Sequence, residues 1–205
     1  MGRSIARACA VTLLLCAPSV ALAQARIIQF RSVEDPASPP DPAVCAAAPF
    51  VSNLRIGGTL YTYETRARDG KVVSDDVRAI GKATACAQIT SLAFPPGLAQ
   101  NFFLQLTMGD GIYTASGTCT IVSNDVPRGG LVLAGCNLKL LTFPAGVAGG
   151  AVTSLSTFNP FRLPGFATGS YWTVQIYDVA AGQERRQEFD HAMEWTEGGD
   201  DGSQD

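Results

Sequence analysis

The chain has 205 residues, 46% of them hydrophobic, with 15 basic residues against 18 acidic and a single histidine. That length suits one domain, and without a basic patch nucleic acid is excluded as an expected partner. The lone His191 lies in an acid-rich stretch, which leaves Ser-His and Cys-His catalysis without a positioned base.

In chain order, residues 1–23 read as a secretory leader. Arg3 and Arg7 precede an apolar run from Ala8 to about Leu22, and Ala21-Leu22-Ala23 supplies the small residues signal peptidase requires. The run is shorter than the roughly 20 residues of a membrane span. A mature protein with no membrane span, secreted or periplasmic, is therefore expected. Losing Arg3 and Arg7 leaves 13 basic residues against 18 acidic, a net charge of −5. Cys9 and Cys16 leave as well, so the mature chain keeps Cys45, Cys86, Cys119 and Cys136. Four cysteines in an oxidising compartment imply two disulfides.

Residues 24–52 are rich in proline and alanine and read as an extended segment before a domain over 53–182. From residue 53 onward the hydrophobic period is two, with frequent turn residues. Strands are expected over 58–66, 71–77, 81–92, 101–108, 112–121, 131–141, 150–158 and 171–177. Asp69-Gly70 and Gly109-Asp110-Gly111 mark hairpin turns. A hairpin centred on Pro127 places Cys119 opposite Cys136, at the separation a cross-strand disulfide needs. Cys45–Cys86 follows by elimination. A zinc site is disfavoured, because there is no C-x-x-C pair and the one histidine is remote. Residues 183–205 form an acidic tail with the composition of disorder, eight acids standing there against Arg185 and Arg186.

About eight short antiparallel strands joined by short turns predict an all-β fold, a small up-and-down β-barrel with a β-sandwich as the alternative. In such a barrel Val132, Ala134, Cys136, Leu138 and Leu140 share one face with Tyr113, Ala115, Gly117, Cys119 and Ile121.

Three segments resemble the allene oxide cyclase barrel, whose superfamily includes the dirigent proteins. They are FFLQLTMGDGIYTASG over 102–117, GGLVLAGCNLKL over 129–140, and Tyr61-Thr62-Tyr63-Glu64. The resemblance implies a barrel with an apolar cavity, a carboxylate at Glu64 facing into it, and a homo-oligomer, a trimer in that family.

The chain carries no G-x-S-x-G, H-E-x-x-H or P-loop motif, and no metal or cofactor is expected. Glu64 is the one candidate catalytic group: buried on an inward face, it would have a raised pKa and act as an acid or base. Tyr61, Tyr63, Tyr113 and Trp172 are candidate cavity walls. The reading these residues favour is an exported barrel that binds or guides a small hydrophobic molecule without reacting it. A cyclase or isomerase using Glu64 is the first alternative, and a structural or interaction domain the second.

Overall fold

In the computed structural model, which describes residues 25–126 and 130–179, eight antiparallel strands follow one another around a ring. They are β1 (Ala25–Glu34), β2 (Leu54–Arg68), β3 (Lys71–Gln88), β4 (Ala99–Met108), β5 (Gly111–Val126), β6 (Leu131–Thr142), β7 (Val147–Phe158) and β8 (Gly169–Asp178). Each strand pairs with the next, and β1 pairs with β8 from Ala25↔Tyr177 to Val33↔Gly169, which closes the barrel. The fold is thus the all-β up-and-down barrel, not the sandwich. The leader over 1–23, the acidic tail over 183–205 and the turn at Pro127 lie outside the described residues. No helix among the described residues is long and apolar enough to cross a membrane.

Two strand assignments differ from the sequence reading. The segment over 24–52 is not wholly linker, because its first part is β1, with Ile28, Phe30 and Ser32 turned towards the barrel interior. The expected strands over 71–77 and 81–92 are one strand, β3. It continues through the acidic pair Asp75-Asp76 and through Gly81 because irregularities opposite Leu60/Tyr61 and Thr62/Tyr63 absorb the extra residues Ile80 and Val77. The two differences cancel in the strand count.

Strict alternation builds the interior. Tyr113, Ala115, Cys119 and Ile121 of β5 face the same core as Val132, Ala134, Cys136, Leu138 and Leu140 of β6. The register sets Cys119 directly opposite Cys136, and the two form a disulfide inside the barrel with Cα atoms 4.0 Å apart. One half of the interior is filled by Phe30, Leu60, Leu106, Tyr113, Leu140, Val174 and Ile176, none more than 3% exposed. At roughly 25 cal/mol per Å² of apolar surface, such fully buried side chains contribute about 1.5–3 kcal/mol each.

A second, smaller core lies outside the wall. Helix α1 (Pro42–Ala46) is capped by Asp41, whose carboxylate accepts from the Ala43 N–H at 2.8 Å. It packs Val44 and Cys45 against Cys86 and Phe103, and Cys45–Cys86 bonds the helix to β3. The linker crosses β2 at Gly57, where a Cβ would sit 2.5 Å from Pro39 C and Pro40 N. Only glycine permits that crossing. The Asp69-Gly70 turn has both residues at positive φ, 52° and 73°, as a two-residue type I′ hairpin requires.

Candidate functional site at the barrel mouth

The half of the barrel nearest the 35–53, 89–98 and 159–168 connections is not filled. It holds a cavity of about 100 Å³ whose walls are almost entirely apolar. Leu54, Ile56, Ala83, Ala85 and Ala87 form one side, and Phe102, Leu104, Ile121, Val132, Ala134 and Trp172 another. Small residues on β2 and β3 leave the space, since three alanines and Gly58 stand where the opposite half carries leucines and aromatics. The Cys119–Cys136 disulfide forms part of the wall.

Two aromatic side chains meet over this end. Phe94 and Phe158 pack edge to face with ring centroids 5.7 Å apart. Phe94 is 5% exposed and has φ 45°, a backbone conformation costly for a bulky residue and held here by its surroundings. Its loop is tied down where Asn124 Nδ2 donates to Ala93 O at 3.0 Å and the Gly97 N–H donates to Ile121 O at 2.8 Å. The facing loop is organised by buried Asn159, which donates from Nδ2 to Leu163 O and Phe166 O and accepts from the Leu163 N–H. Beside Phe158 lies an outer groove of about 770 Å³ that shares Glu34, Leu54, Ile56, Phe158 and Thr168 with the cavity.

Polar groups in the cavity wall are few and sit on opposite sides. On β1, β7 and β8, Ser170 Oγ donates to Ser156 Oγ at 2.8 Å, Ser154 and Ser156 are bonded at 2.9 Å, and Trp172 Nε1 donates to Ser32 Oγ at 2.8 Å. On β4, Gln100 is 2% exposed and stands in register with Cys119. Its Oε1 accepts from the Thr90 N–H at 2.9 Å and from Thr90 Oγ at 3.3 Å. Glu34, at the rim and exposed, is the only charged side chain in the lining among the described residues.

The residues expected from sequence to make a site are not brought together. Trp172 lines the cavity, 2% exposed and 6.3 Å between centroids from Phe102. Tyr113 is buried in the filled half, where its hydroxyl donates to Asp110 Oδ2 at 2.7 Å. Tyr61 and Tyr63 lie on the outer surface. Leu60 points into the core, so its odd-numbered neighbours on β2 point out, and Tyr63 packs edge to face on Tyr171, which also carries Arg31 over its ring. Glu64 is exposed. β2 pairs with β1 only as far as Tyr61, so beyond it β2 and β3 form a ribbon that projects past the barrel end away from the cavity. Alternation gives Glu64 the parity of Leu60, but there is no barrel wall around it at that level. Among the described residues no cluster of three or more His, Cys, Asp or Glu side chains is arranged to hold a metal ion.

Gln100 and the Phe94–Phe158 pair are the residues that sequence reasoning missed. The hairpin arithmetic applied to the cysteines would have found Gln100, because the Gly109-Asp110 turn sets it opposite Cys119. Phe94 carries no such signal, since its place depends on a loop.

Burial, with Asp110's carboxylate beside it, pushes the Tyr113 phenol up to about 12 from its ordinary value of 10. A raised phenol pKa favours the folded state while the proton stays on. The contribution is therefore complete below pH 10 and is lost as pH rises through about 12. We expect stability to fall by on the order of 2 kcal/mol across that window. An absorbance titration should show a tyrosinate step near pH 12 that disappears in Tyr113→Phe. A pH profile identical in the two proteins would remove Tyr113 as the source.

No family model, curated protein or solved structure matches the chain.

Proposed function

We propose that this protein is an exported, disulfide-stapled barrel that captures or guides a small hydrophobic molecule in its cavity without reacting it. The observation that carries the reading is the apolar cavity under Phe94 and Phe158, in a barrel whose other half is tightly packed. A closed barrel has no need of an unfilled half for stability; alanines at Ala83, Ala85 and Ala87 forgo apolar burial that larger residues would supply. Two disulfides suit an oxidising compartment, and the leader pattern over 1–23 suits export. The strand order is that expected of an allene oxide cyclase or dirigent relative, and the homotrimer implied by that resemblance belongs to the same proposal. A cyclase mechanism through Glu64 gains no support, because the carboxylate is exposed on the projecting ribbon, away from the cavity.

Filling the cavity tests the reading. Ala134 lines it and is 9% exposed, and Ala134→Leu would occupy most of its space. Benzene, which fills an enclosed site of about 150 Å³ and would here occupy the cavity and its open mouth, is expected to shift methyl resonances around Leu104, Ile121 and Val132 in the wild type. In Ala134→Leu its affinity should fall at least about ten-fold, while overpacking costs no more than about 1–3 kcal/mol. Absence of any benzene response in the wild type would defeat the proposal.

A further inference from the structure

The cavity wall holds one polar group whose bonding capacity is half used. Gln100 has a carbonyl oxygen that accepts and an amide nitrogen that donates two hydrogens. Which atom faces Thr90 is fixed by chemistry: a backbone N–H can only donate, so the atom 2.9 Å from it is Oε1. The amide nitrogen must then point the other way, and Nε2 is buried with no hydrogen-bond partner among the described residues. A buried donor left unpaired costs about 1–3 kcal/mol, so native proteins rarely keep one without a reason. Gln100 lines the cavity, beside the Cys119–Cys136 disulfide to which its register binds it.

We infer that Gln100 Nε2 is a ligand anchor, and that the cavity takes a neutral molecule carrying a carbonyl-type hydrogen-bond acceptor on a small apolar body. The inference rests on the binding reading above and names the class of ligand for it. Two unused N–H groups select an acceptor over a donor, so an amine or ammonium is disfavoured. A carboxylate is disfavoured too. Among the described residues no cation lines the cavity, the one charged side chain in its wall is acidic Glu34, and an unpaired ionised group in an apolar site is heavily penalised. A ketone, aldehyde or ester oxygen satisfies Nε2 without carrying charge in. The apolar body would lie against Phe102, Leu104, Ile121 and Val132. Size follows from the volume. An enclosed site of about 150 Å³ holds the six carbons of benzene, so about 100 Å³ encloses roughly four heavy atoms, and the remainder of a five-membered ring would sit in the cavity's open mouth. A longer chain would extend past Leu54, Phe158 and Thr168, which line both the cavity and the outer groove.

The test uses two probes of one shape, cyclopentanone and methylenecyclopentane, which differ in an exocyclic oxygen against a CH2 group. Each is titrated by NMR into the whole mature protein and into Gln100→Met, which keeps side-chain length and removes the donor. The ketone is expected to bind the wild type about ten-fold more tightly than Gln100→Met, the loss of one hydrogen bond, while the alkene changes less than about two-fold. In the wild type the Gln100 side-chain amide resonances should move with the ketone and stay put with the alkene. This second readout needs no variant, so it decides the matter even if Gln100→Met folds poorly with Thr90 N–H unpaired. Ketone and alkene both bound, with the amide silent to both, would overturn the anchor and leave the binding cavity standing. Neither probe bound would overturn the cavity reading and the anchor with it.

Discussion

Removing either disulfide is expected to cost about 3–4 kcal/mol, but only one of the two removals should change the cavity. The loop-entropy estimate gives about 3 kcal/mol for a loop near the 17-residue separation of Cys119 and Cys136, and about 4 for the 41 residues between Cys45 and Cys86. The surroundings differ. Cys119 and Cys136 are 5% and 2% exposed within the barrel and form cavity wall, so alanine at both leaves a larger void beside Gln100. Cys45 and Cys86 sit in the outer core with Val44 and Phe103. Urea unfolding of the two double-alanine variants should show comparable destabilisation. Benzene affinity should shift only in Cys119→Ala/Cys136→Ala. If it shifts equally in Cys45→Ala/Cys86→Ala, the cavity is not bounded where the geometry puts it.

The second large effect is expected at Trp172. Its ring spans the barrel to Phe102 and its Nε1 is bonded to Ser32 Oγ at 2.8 Å, so it is both wall and brace. Trp172→Ala should cost about 3–5 kcal/mol, the range for aromatic truncations in a close-packed interior. Trp172→Phe keeps most of the packing and loses chiefly the hydrogen bond, for about 1 kcal/mol. The alanine variant should also admit ligands too bulky for the wild type, if it remains folded. Equal stability loss in both variants would assign the role to the indole N–H rather than to volume.

How far these sites were legible beforehand depended on whether a local rule fixed the geometry. Counting outward from Pro127 places Cys119 opposite Cys136, and the strands do meet there with their neighbours sharing a face, although irregularities between Ile121 and Val126 shift the register next to the turn. The inward face of β2 was not fixed in that way. Thr62 and Arg66 are tolerated on either side, so only the burial of Leu60 shows that Tyr61 and Tyr63 turn out rather than into the cavity. Glu64 was misleading for a different reason: alternation says which way a side chain points, not whether a wall still surrounds it. β1 was hidden by the prolines that follow it, although Ile28, Phe30 and Ser32 carry the two-residue period. The cavity itself reflects an absence of bulk at Gly58, Ala83, Ala85 and Ala87, and small residues announce nothing until the opposing wall is known.

The pairing of β1 with β8 has a consequence for how the molecule is made. Phe30 lies opposite Trp172 and Ile28 opposite Val174, so the last stave of the cask is seated against the first. Until β8 emerges, β1 has no neighbour on that side and β7 offers a bare rim to any passing strand. Seven of the eight pairings join neighbours in the chain and can form as it emerges, but ring closure waits for the two extremities to meet, a step slowed by the length of chain between them. Until that seam shuts the cavity lacks a complete wall, since Ser32 and Trp172 line it from the two sides of the join.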